Sequence, residues 1–295
     1  MRVAVTGASG LIGRALTAHL EARRHVVVPV VRRTAGDGEI RWDPGAGHID
    51  PLTGLDAVVH LAAAGIGDKR WTEAYKRQIL ESRTNGTRLV SEAIASASNG
   101  PRILLSASAI GIYGSSETTT FDERSQTGEG FLADVCREWE AATAPAEQDG
   151  VRVAHLRTGI VLTPDGGALK KQLPLFRAGL GGKFGDGAQW QSWISIDDEV
   201  AAIAELLESE ISGPVNLTAP NPVTQAQFVT ALGDTLHRPT FMRVPRFAPK
   251  LVLGSELVEN LLFSGQKVVP QVLLDHGYEF RHAELPAALS DLLGR

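Results

Sequence analysis

Thiols and aromatic rings are scarce in this chain of 295 residues. Its only cysteine is Cys136, so neither an internal disulfide nor a thiolate-rich metal site can form, and we expect no metal. This composition fits a reducing compartment, and we expect the protein to be cytoplasmic. Aromatic residues make up 6% of the chain, which argues against a surface on which nucleic-acid bases stack.

Long apolar runs and an excess of positive charge are also missing. No stretch approaches the roughly 18 apolar residues of a membrane-spanning helix, and the first residues read as a strand rather than a signal peptide. The net charge of −5 gives no reason to expect nucleic acid or an anionic membrane as a partner. The apolar content of 43% is ordinary for a globular protein with a full core. The partner that we expect is a small-molecule substrate.

The N-terminal stretch MRVAVTGASGLIG predicts a strand, a glycine-rich loop and the beginning of a helix. Three glycines follow the strand at three-residue spacing: Gly7, Gly10 and Gly13. This arrangement presents free backbone N–H groups to an anion such as a pyrophosphate, and Ser9 can add a hydroxyl donor. Taken alone, the glycine pattern also suits an ordinary loop of an α/β protein.

The second predicted strand, Val26–Val31, ends in Arg32 and Arg33. In dinucleotide sites a carboxylate at this position binds the 2′-hydroxyl of the ribose, whereas a guanidinium binds a 2′-phosphate. Because two arginines and no acid stand here, we predict NADP(H) rather than NAD(H) as the cofactor. Alternatively, both arginines are solvated charges of a loop.

Two further predicted strands end in residues suited to a ligand or to chemistry. The strand Asp56–Leu61 is followed by residues with small side chains, which let a flat ligand lie against the backbone. We interpret His60, within this strand, as a buried and hydrogen-bonded core residue. The next strand leads into SASAIGIYG, in which Ser108 and Tyr113 are candidates for proton transfer to a bound substrate. Tyr113 also suits a packing role with its hydroxyl hydrogen-bonded.

The whole pattern predicts an α/β fold with a doubly wound parallel sheet and a smaller, mostly helical C-terminal lobe. The expected division is a dinucleotide-binding domain at 1–164, to which 190–220 return, and a substrate lobe at 165–189 and 221–295. We expect Asp197 and Asp198 to cap one helix, and Thr224 with Gln227 to form a capping box at another.

The motifs TGASGLIG, DAVVHLAA, SASAIGIYG and LRTGIVL resemble the extended short-chain dehydrogenase/reductases, the NAD-dependent epimerase/dehydratase group, over essentially the whole chain. The C-terminal part resembles an atypical subgroup called epimerase family proteins, which carry a C-terminal domain of unknown function. The resemblance implies a Rossmann-type fold that binds a dinucleotide. It also implies a homodimer formed through two helices, here around 71–98 and 131–144.

The resemblance assigns roles to individual residues. Ser108 corresponds to the catalytic serine of the group, and Arg32 to a ligand of the 2′-phosphate. The other cofactor-binding positions that it implies are Gly7, Ser9, Gly10, Leu11, Ile12, Gly13, Leu61, Ala62, Ala63, Ser106, Gly159 and Ile160.

The chain departs from the group at its acid–base pair. The group uses a tyrosine with a lysine four residues later, and none of the three tyrosines here has such a lysine. Phe131 or Leu132 stands near the tyrosine's place, and Val135 or Cys136 near the lysine's. The usual proton shuttle is therefore missing.

Two further departures concern charge. Arg83 stands where extended members have an asparagine, so its cation either reaches the cofactor and partly replaces the lysine or lies at the surface. Gln191 replaces an arginine that binds the diphosphate of nucleotide sugars, and a neutral amide cannot make that bidentate charged contact.

These features predict an NADP(H)-dependent oxidoreductase that reduces a small carbonyl compound. Two alternatives stay open. A non-catalytic NADP(H)-binding sensor, whose loaded state a partner protein reads, is favoured by the missing tyrosine–lysine pair. A sugar-nucleotide epimerase is disfavoured by Gln191.

Overall fold

The chain folds around one large, mostly parallel β-sheet. The computed structural model describes residues 1–295. The strands in chain order are β1 (Arg2–Thr6), β2 (Val26–Val31), β3 (Ile40–Asp43), β4 (His48–Ile49), β5 (Ala57–His60), β6 (Ile103–Ala109), β7 (Thr120–Phe121), β8 (Arg152–Thr158), β9 (Ile160–Leu162), β10 (Gly182–Phe184), β11 (Trp190–Gln191), β12 (Trp193–Ser195), β13 (Gly213–Leu217), β14 (Val223–Thr224), β15 (Met242–Val244) and β16 (Lys267–Val268).

The helices lie on both faces of this sheet and in the C-terminal part. In chain order they are α1 (Leu11–Ala22), α2 (Glu73–Ala95), α3 (Phe131–Ala141), α4 (Ala144–Gln148), α5 (Gly167–Arg177), α6 (Ile196–Glu208), α7 (Gln225–Leu236), α8 (Phe247–Leu253), α9 (Ser255–Leu261), α10 (Gln271–Asp275) and α11 (Leu285–Leu292). A turn of 3₁₀ helix at Ile110–Tyr113 follows β6. No helix is long and apolar enough to cross a membrane.

Eight strands form the large sheet in the order β13-β8-β6-β5-β1-β2-β3-β4. All neighbours are parallel except β4, which pairs antiparallel with β3. The chain builds outward from β1 to β4 and then crosses back to β5, so the strand order reverses between β1 and β5. Ligands of doubly wound sheets bind at the carboxyl ends of the strands beside such a reversal. The predicted fold class is therefore confirmed.

The two faces of the sheet carry separate apolar layers because successive side chains of a strand point in opposite directions. In β1, Val3 and Val5 pack with α1 and α6, whereas Ala4 packs in the layer that includes Val90 and Ile94 of α2. Each face is thereby covered by helices, as a parallel sheet requires.

A third apolar cluster lies away from the large sheet, where α5, α7 and α11 pack around Trp193.

The predicted capping box of Thr224 and Gln227 at the start of α7 is confirmed. The division of the chain into two lobes stays a prediction, and within it β13 does join the large sheet beside β8.

The predicted helix cap at Asp197 and Asp198 is wrong. Ser195 is the N-cap of α6, and its hydroxyl accepts from the backbone N–H of Asp198. The carboxylate of Asp198 instead accepts from the backbone N–H groups of Arg281 and His282 at 2.8 and 3.0 Å. Asp198, which the sequence predicts as part of a local helix cap, therefore binds the backbone of a segment near the C-terminus.

Candidate functional site

Glycines allow α1 to begin directly against the end of β1. Gly7 has a φ of +68°, in the left-handed region that glycine adopts without strain. A Cβ at Gly13 would clash with the carbonyl oxygen of Gly7, so only glycine permits this approach. The helix start is thereby held close to the strand end, at the edge of the sheet where ligands bind.

The first turn of α1 leaves backbone donors free. The N–H groups of Leu11, Ile12 and Gly13 have no acceptor within the protein, and no side chain caps Gly10. Free N–H groups and the helix dipole together make such an N-terminus an anion site. Ser9 beside it is exposed, and its hydroxyl has no hydrogen-bond partner. These residues fit the pyrophosphate of a dinucleotide, as the sequence predicts.

The segment after β5 packs against the glycine loop. The backbone N–H groups of Leu61 and Ala62 donate to Oγ1 of Thr6 at 3.0 and 3.1 Å, and Ala63 is exposed. The same hydroxyl lies 2.8 Å from Nδ1 of His60, a fully buried ring. Burial lowers the pKa of His60 to about 4, so the ring is neutral at pH 7. The interpretation of His60 as a core residue is confirmed.

The two arginines after β2 differ in their partners. Arg33 forms a two-pronged ion pair with Glu39, with nitrogen–oxygen distances of 2.6 and 2.5 Å. Arg32 is exposed and has no hydrogen bond or ion pair to another residue. Arg32 alone is therefore free to bind a further anion.

A cavity of about 220 Å³ lies at the carboxyl ends of β6 and β8. Three predicted cofactor residues, Arg83, Gly159 and Ile160, line it. Arg83 is 8% exposed, so the alternative of a surface arginine is wrong. Gln191, the counterpart of a diphosphate-binding arginine in related enzymes, also lines it. The rest of the wall comes mainly from residues 109–111, 189–192 and 260–266 and from α3. The 260–266 segment carried no motif that could have revealed it.

The wall contributed by α3 is apolar. Leu132, Val135 and Cys136 line the cavity, at the place where the resemblance puts a tyrosine and a lysine, whereas Phe131 does not. Burial raises the pKa of Cys136 to about 12, so its thiol stays protonated. The helix therefore offers no acid–base group to the cavity at neutral pH.

The hydroxyl groups of residues that line the cavity are all engaged. Thr158 donates to Oε1 of Glu199 at 2.9 Å. Ser192 and Ser264 donate to the backbone carbonyls of Gln266 and Glu259, at 2.8 and 2.7 Å. A proton donor for a bound substrate is therefore not evident among them.

The two predicted catalytic residues lie in a buried polar network beside the cavity rather than in its wall. Glu140 and Arg157 form a bidentate pair, with Nε–Oε1 and Nη2–Oε2 distances of 2.8 Å. Ser108 donates to Oε1 of Glu140 at 2.7 Å. Tyr113 accepts from Nη1 of Arg157 at 2.9 Å and donates to Oδ1 of Asn216 at 2.8 Å.

Each hydroxyl of this network has a protein acceptor. Tyr113 is 2% exposed, and burial raises the pKa of its phenol. Ser106, expected near the cofactor, is also fully buried and does not line the cavity, and its Oγ has no partner. Catalytic roles for Ser108 and Tyr113 stay predictions, and the structure brings neither hydroxyl to the cavity.

The ion pair within this network is expected to dominate local stability. Burial alone would raise the pKa of Glu140, but the hydrogen bonds and charge of Arg157 outweigh it and lower that pKa. Glu140→Gln leaves Arg157 buried without a counter-ion, so we expect unfolding in urea to become easier by about 3–5 kcal/mol. Asp134→Asn on the same helix breaks an exposed pair with Arg137 and should cost less than about 1 kcal/mol. Equal losses in the two variants would contradict this assignment.

Glu199 gives stability a distinct pH dependence. Burial without a cationic partner raises its pKa to about 8, against an ordinary value of 4.5. Between pH 4.5 and about pH 8, folding therefore takes up one proton at Glu199. The contribution of this protonation to the unfolding free energy is fully present below pH 4.5 and is lost as the pH rises to about 8. Glu199→Gln removes the titration.

We expect the unfolding free energy of Glu199→Gln relative to the parent protein to rise between pH 5 and pH 8. The change is at most about 4 kcal/mol at about 1.4 kcal/mol per pH unit. Urea unfolding of both proteins at the two pH values measures it, and other groups cancel in the difference. A difference that does not change with pH would show that Glu199 is ionised in the folded protein.

The parallel sheet, the free N-terminus of α1 after a glycine loop and the cavity at the strand ends define a Rossmann-type nucleotide-binding protein. The model of the NAD dependent epimerase/dehydratase family matches residues 3–217, and that of a domain of unknown function, DUF1731, matches residues 244–292. The chain belongs to the NAD-dependent epimerase/dehydratase family.

The similarity to known relatives covers essentially the full length of this chain. Epimerase family protein Mb2239 of Mycobacterium bovis is 45% identical over 97% of this chain and 96% of its own. The crystal structure of human epimerase family protein SDR39U1 with NADPH covers all of both chains at 36% identity, with a TM-score of 0.93. A nucleoside-diphosphate sugar epimerase from Corynebacterium glutamicum is 37% identical, with a TM-score of 0.81. This chain spans 58% of its length.

Proposed function

We propose that the protein binds NADP(H) and uses it to reduce a small carbonyl compound. The observation that carries the cofactor assignment is the unpaired Arg32, which follows β2. Because β2 is the parallel neighbour of β1, Arg32 lies at the same edge of the sheet as the free N–H groups of α1. The human relative, whose crystal structure contains NADPH and which is similar over the whole chain, supports it.

Each part of the site has a separate task in this proposal. The first turn of α1 binds the pyrophosphate, and Arg32 binds the 2′-phosphate. In the sheet, β8 lies three strands from β1, about 14 Å at about 4.8 Å per strand. The cavity is therefore placed to take the nicotinamide end and a substrate. When bound there, NADPH would supply the hydride, and solvent water at the cavity would supply the proton that the carbonyl oxygen takes up, because no lining side chain offers one. Apolar side chains such as Leu132 and Ile160 would contact the substrate.

One observation favours a second function, a non-catalytic NADP(H)-binding sensor. Phe131 or Leu132 stands near the place of the family's tyrosine, and Val135 or Cys136 near that of its lysine. The hydroxyls of the cavity donate to protein acceptors. A sugar-nucleotide epimerase receives less support, because neutral Gln191 in the cavity wall cannot pair with a diphosphate as an arginine does.

Two expectations concern the surroundings of the protein. A homodimer formed through α2 and α3 stays a prediction, and so does a cytoplasmic location. Both are compatible with the proposed function and neither is needed for it.

The two arginines after β2 allow a matched test of cofactor choice. Arg32→Ala removes a charge-assisted contact of about 1.5–3 kcal/mol, so the dissociation constant for NADPH should rise about 10- to 150-fold. NADH binding should change little, because NADH has no 2′-phosphate. Arg33→Ala is the control, since Arg33 is already paired with Glu39, and it should weaken NADPH binding by less than about threefold. Calorimetric titration of the parent protein and both variants measures these affinities, and tighter binding of NADH than NADPH to the parent protein would overturn the cofactor assignment.

Turnover separates the enzyme from the sensor. The protein is mixed with NADPH and a panel of aldehydes, ketones and quinones while the absorbance of the reduced cofactor is followed. We expect oxidation of NADPH with at least one compound, and tight NADPH binding without any turnover would favour the sensor.

The same assay decides the roles of Ser108 and Tyr113. Because both hydroxyls have buried acceptors, we expect Ser108→Ala and Tyr113→Phe to lower stability by about 1–3 kcal/mol while kcat stays within threefold. Loss of kcat in a variant that melts like the parent protein would establish the predicted catalytic role.

A further inference from the structure

Positive charge is distributed unevenly along this acidic chain. Two segments, 166–185 and 235–255, contain eight Lys and Arg residues and no Asp or Glu. All 34 acidic residues therefore lie elsewhere in the chain. The eight cations are Lys170, Lys171, Arg177, Lys183, Arg238, Arg243, Arg246 and Lys250. The net charge of −5, which by itself gives no reason to expect an anionic membrane, thus hides a strongly basic part of the molecule.

Folding brings these two segments together. β10 and β15 pair in parallel, and their register places Lys183 beside Arg243. Nε of Arg238 donates to the backbone carbonyl of Arg177 at 2.9 Å, which joins the end of α5 to the residues before β15. We call the surface that these two segments form the basic–apolar face. Like charges side by side on neighbouring strands destabilise a sheet, so an external anion would relieve this pairing.

The helix α8 extends this face beyond β15. The guanidinium of Arg246, at the start of α8, lies 4.6 Å from the ring centre of Phe263. The ring of Phe263 in turn packs edge-on against Phe184 of β10, with 6.0 Å between the ring centres. No residue of α8 is buried, so the side chains of this helix are available to a partner.

The basic–apolar face also exposes large apolar side chains. Phe241 before β15 is 81% exposed, and Phe247 and Val252 of α8 are 66% and 77% exposed. Of the eleven exposed large apolar residues of the chain, eight belong to the two segments. The other five of these eight are Leu175, Leu180, Met242, Leu251 and Leu253. Apolar side chains gathered at one exposed surface indicate a binding site for a partner.

The charges of the face narrow the choice of partner. Only Arg246 and Lys250 have an ion pair, and both pair with Glu259. A second copy of the chain would bring eight cations against eight cations, which repel each other. A nucleic acid would neutralise the cations but would leave the exposed aliphatic side chains without apolar contacts. A bilayer with anionic lipids offers negative headgroups directly beside hydrocarbon, and it therefore suits both kinds of side chain.

We propose that the basic–apolar face binds the surface of an anionic lipid bilayer. The apolar side chains of α8 and Phe241 enter the headgroup region, while the surrounding cations contact lipid phosphates. With seven residues, α8 is too short to cross a bilayer and lies along its surface. This site is separate from that of the proposed function, because no residue of the two segments lines the cavity.

Flotation with vesicles tests the proposal on the full-length protein. One set of vesicles contains phosphatidylcholine alone, and the other contains phosphatidylcholine and phosphatidylglycerol in equal parts. We expect the partition coefficient at low salt to be at least about tenfold higher for the mixed vesicles, and to fall as NaCl is added. Equal partition into both kinds of vesicle, no partition into either, or partition that salt does not weaken would overturn the proposal.

Apolar variants show whether the exposed phenylalanines enter the bilayer. The double variant Phe241→Ser and Phe247→Ser should bind the mixed vesicles at least about tenfold more weakly. Its matched control is Val26→Ser with Leu274→Ser, since these exposed apolar residues lie outside the face, and binding should stay within about threefold. Unchanged binding of the first variant, or equal losses in both, would contradict the proposal.

Charge variants locate the contact with anionic lipid. Arg177→Gln with Arg243→Gln removes two exposed cations that have no ion pair, and each should weaken binding about fivefold. Arg88→Gln with Arg102→Gln is the control, because both arginines are exposed and unpaired but lie outside the face. Similar losses in the two double variants would show that the whole surface of the protein, rather than this face, attracts the vesicles, and the proposal would fail.

Two further measurements identify other occupants. In sedimentation without lipid, a dimer of the parent protein that dissociates in the Phe241→Ser and Phe247→Ser variant would assign the face to a second copy. Tighter binding to polyglutamate than to mixed vesicles, at equal concentrations of negative groups, would assign it to an acidic protein. Either result would overturn the proposal. NADPH affinity should stay within about threefold in all these variants, so failure of membrane binding leaves the proposed function intact.

Discussion

The ion pair between Glu140 and Arg157 is the interaction around which the site is built. It joins α3 to the end of β8 inside the protein, where two charges are stable only when each is paired and further hydrogen-bonded. Ser108 and Tyr113 supply those further hydrogen bonds. The requirement to satisfy this pair explains why the hydroxyls of Ser108, near the end of β6, and of Tyr113, just after β6, face the interior although chemistry is expected at this place.

The same network reaches the C-terminal part of the chain. Tyr113 donates to Asn216 on β13, and Nδ2 of Asn216 donates to the backbone carbonyl of Val269 at 3.0 Å. Val269 follows the segment 260–266, which closes one side of the cavity. The position of α3, which carries Leu132 and Cys136, and the position of that segment are thus linked through a few buried polar contacts. The cavity is a product of both parts of the chain.

The two ends of the site differ in how they are made. In the proposed site, the dinucleotide end would consist of backbone donors at α1 and one side chain, Arg32, all of which lie in short local motifs of the sequence. The cavity end consists of side chains from helices and loops distant in sequence, with the buried Arg83 at its wall.

Local chemistry explains what could be predicted from the sequence. The glycines at 7 and 13, the capping box of Thr224 and the core role of His60 each depend on backbone conformation or on strand periodicity, which neighbouring residues determine. The pairing of Arg33 with Glu39 and the use of Asp198 by the 281–282 backbone depend on which groups folding brings together. The sequence by itself determined the parallel sheet and the anion site at its edge, because periodicity and glycine spacing encode them. Only the tertiary structure decided that Ser108 and Tyr113 turn inward and that Arg83 lies buried at the cavity, because the burial and pairing of a charge depend on residues far away in the chain.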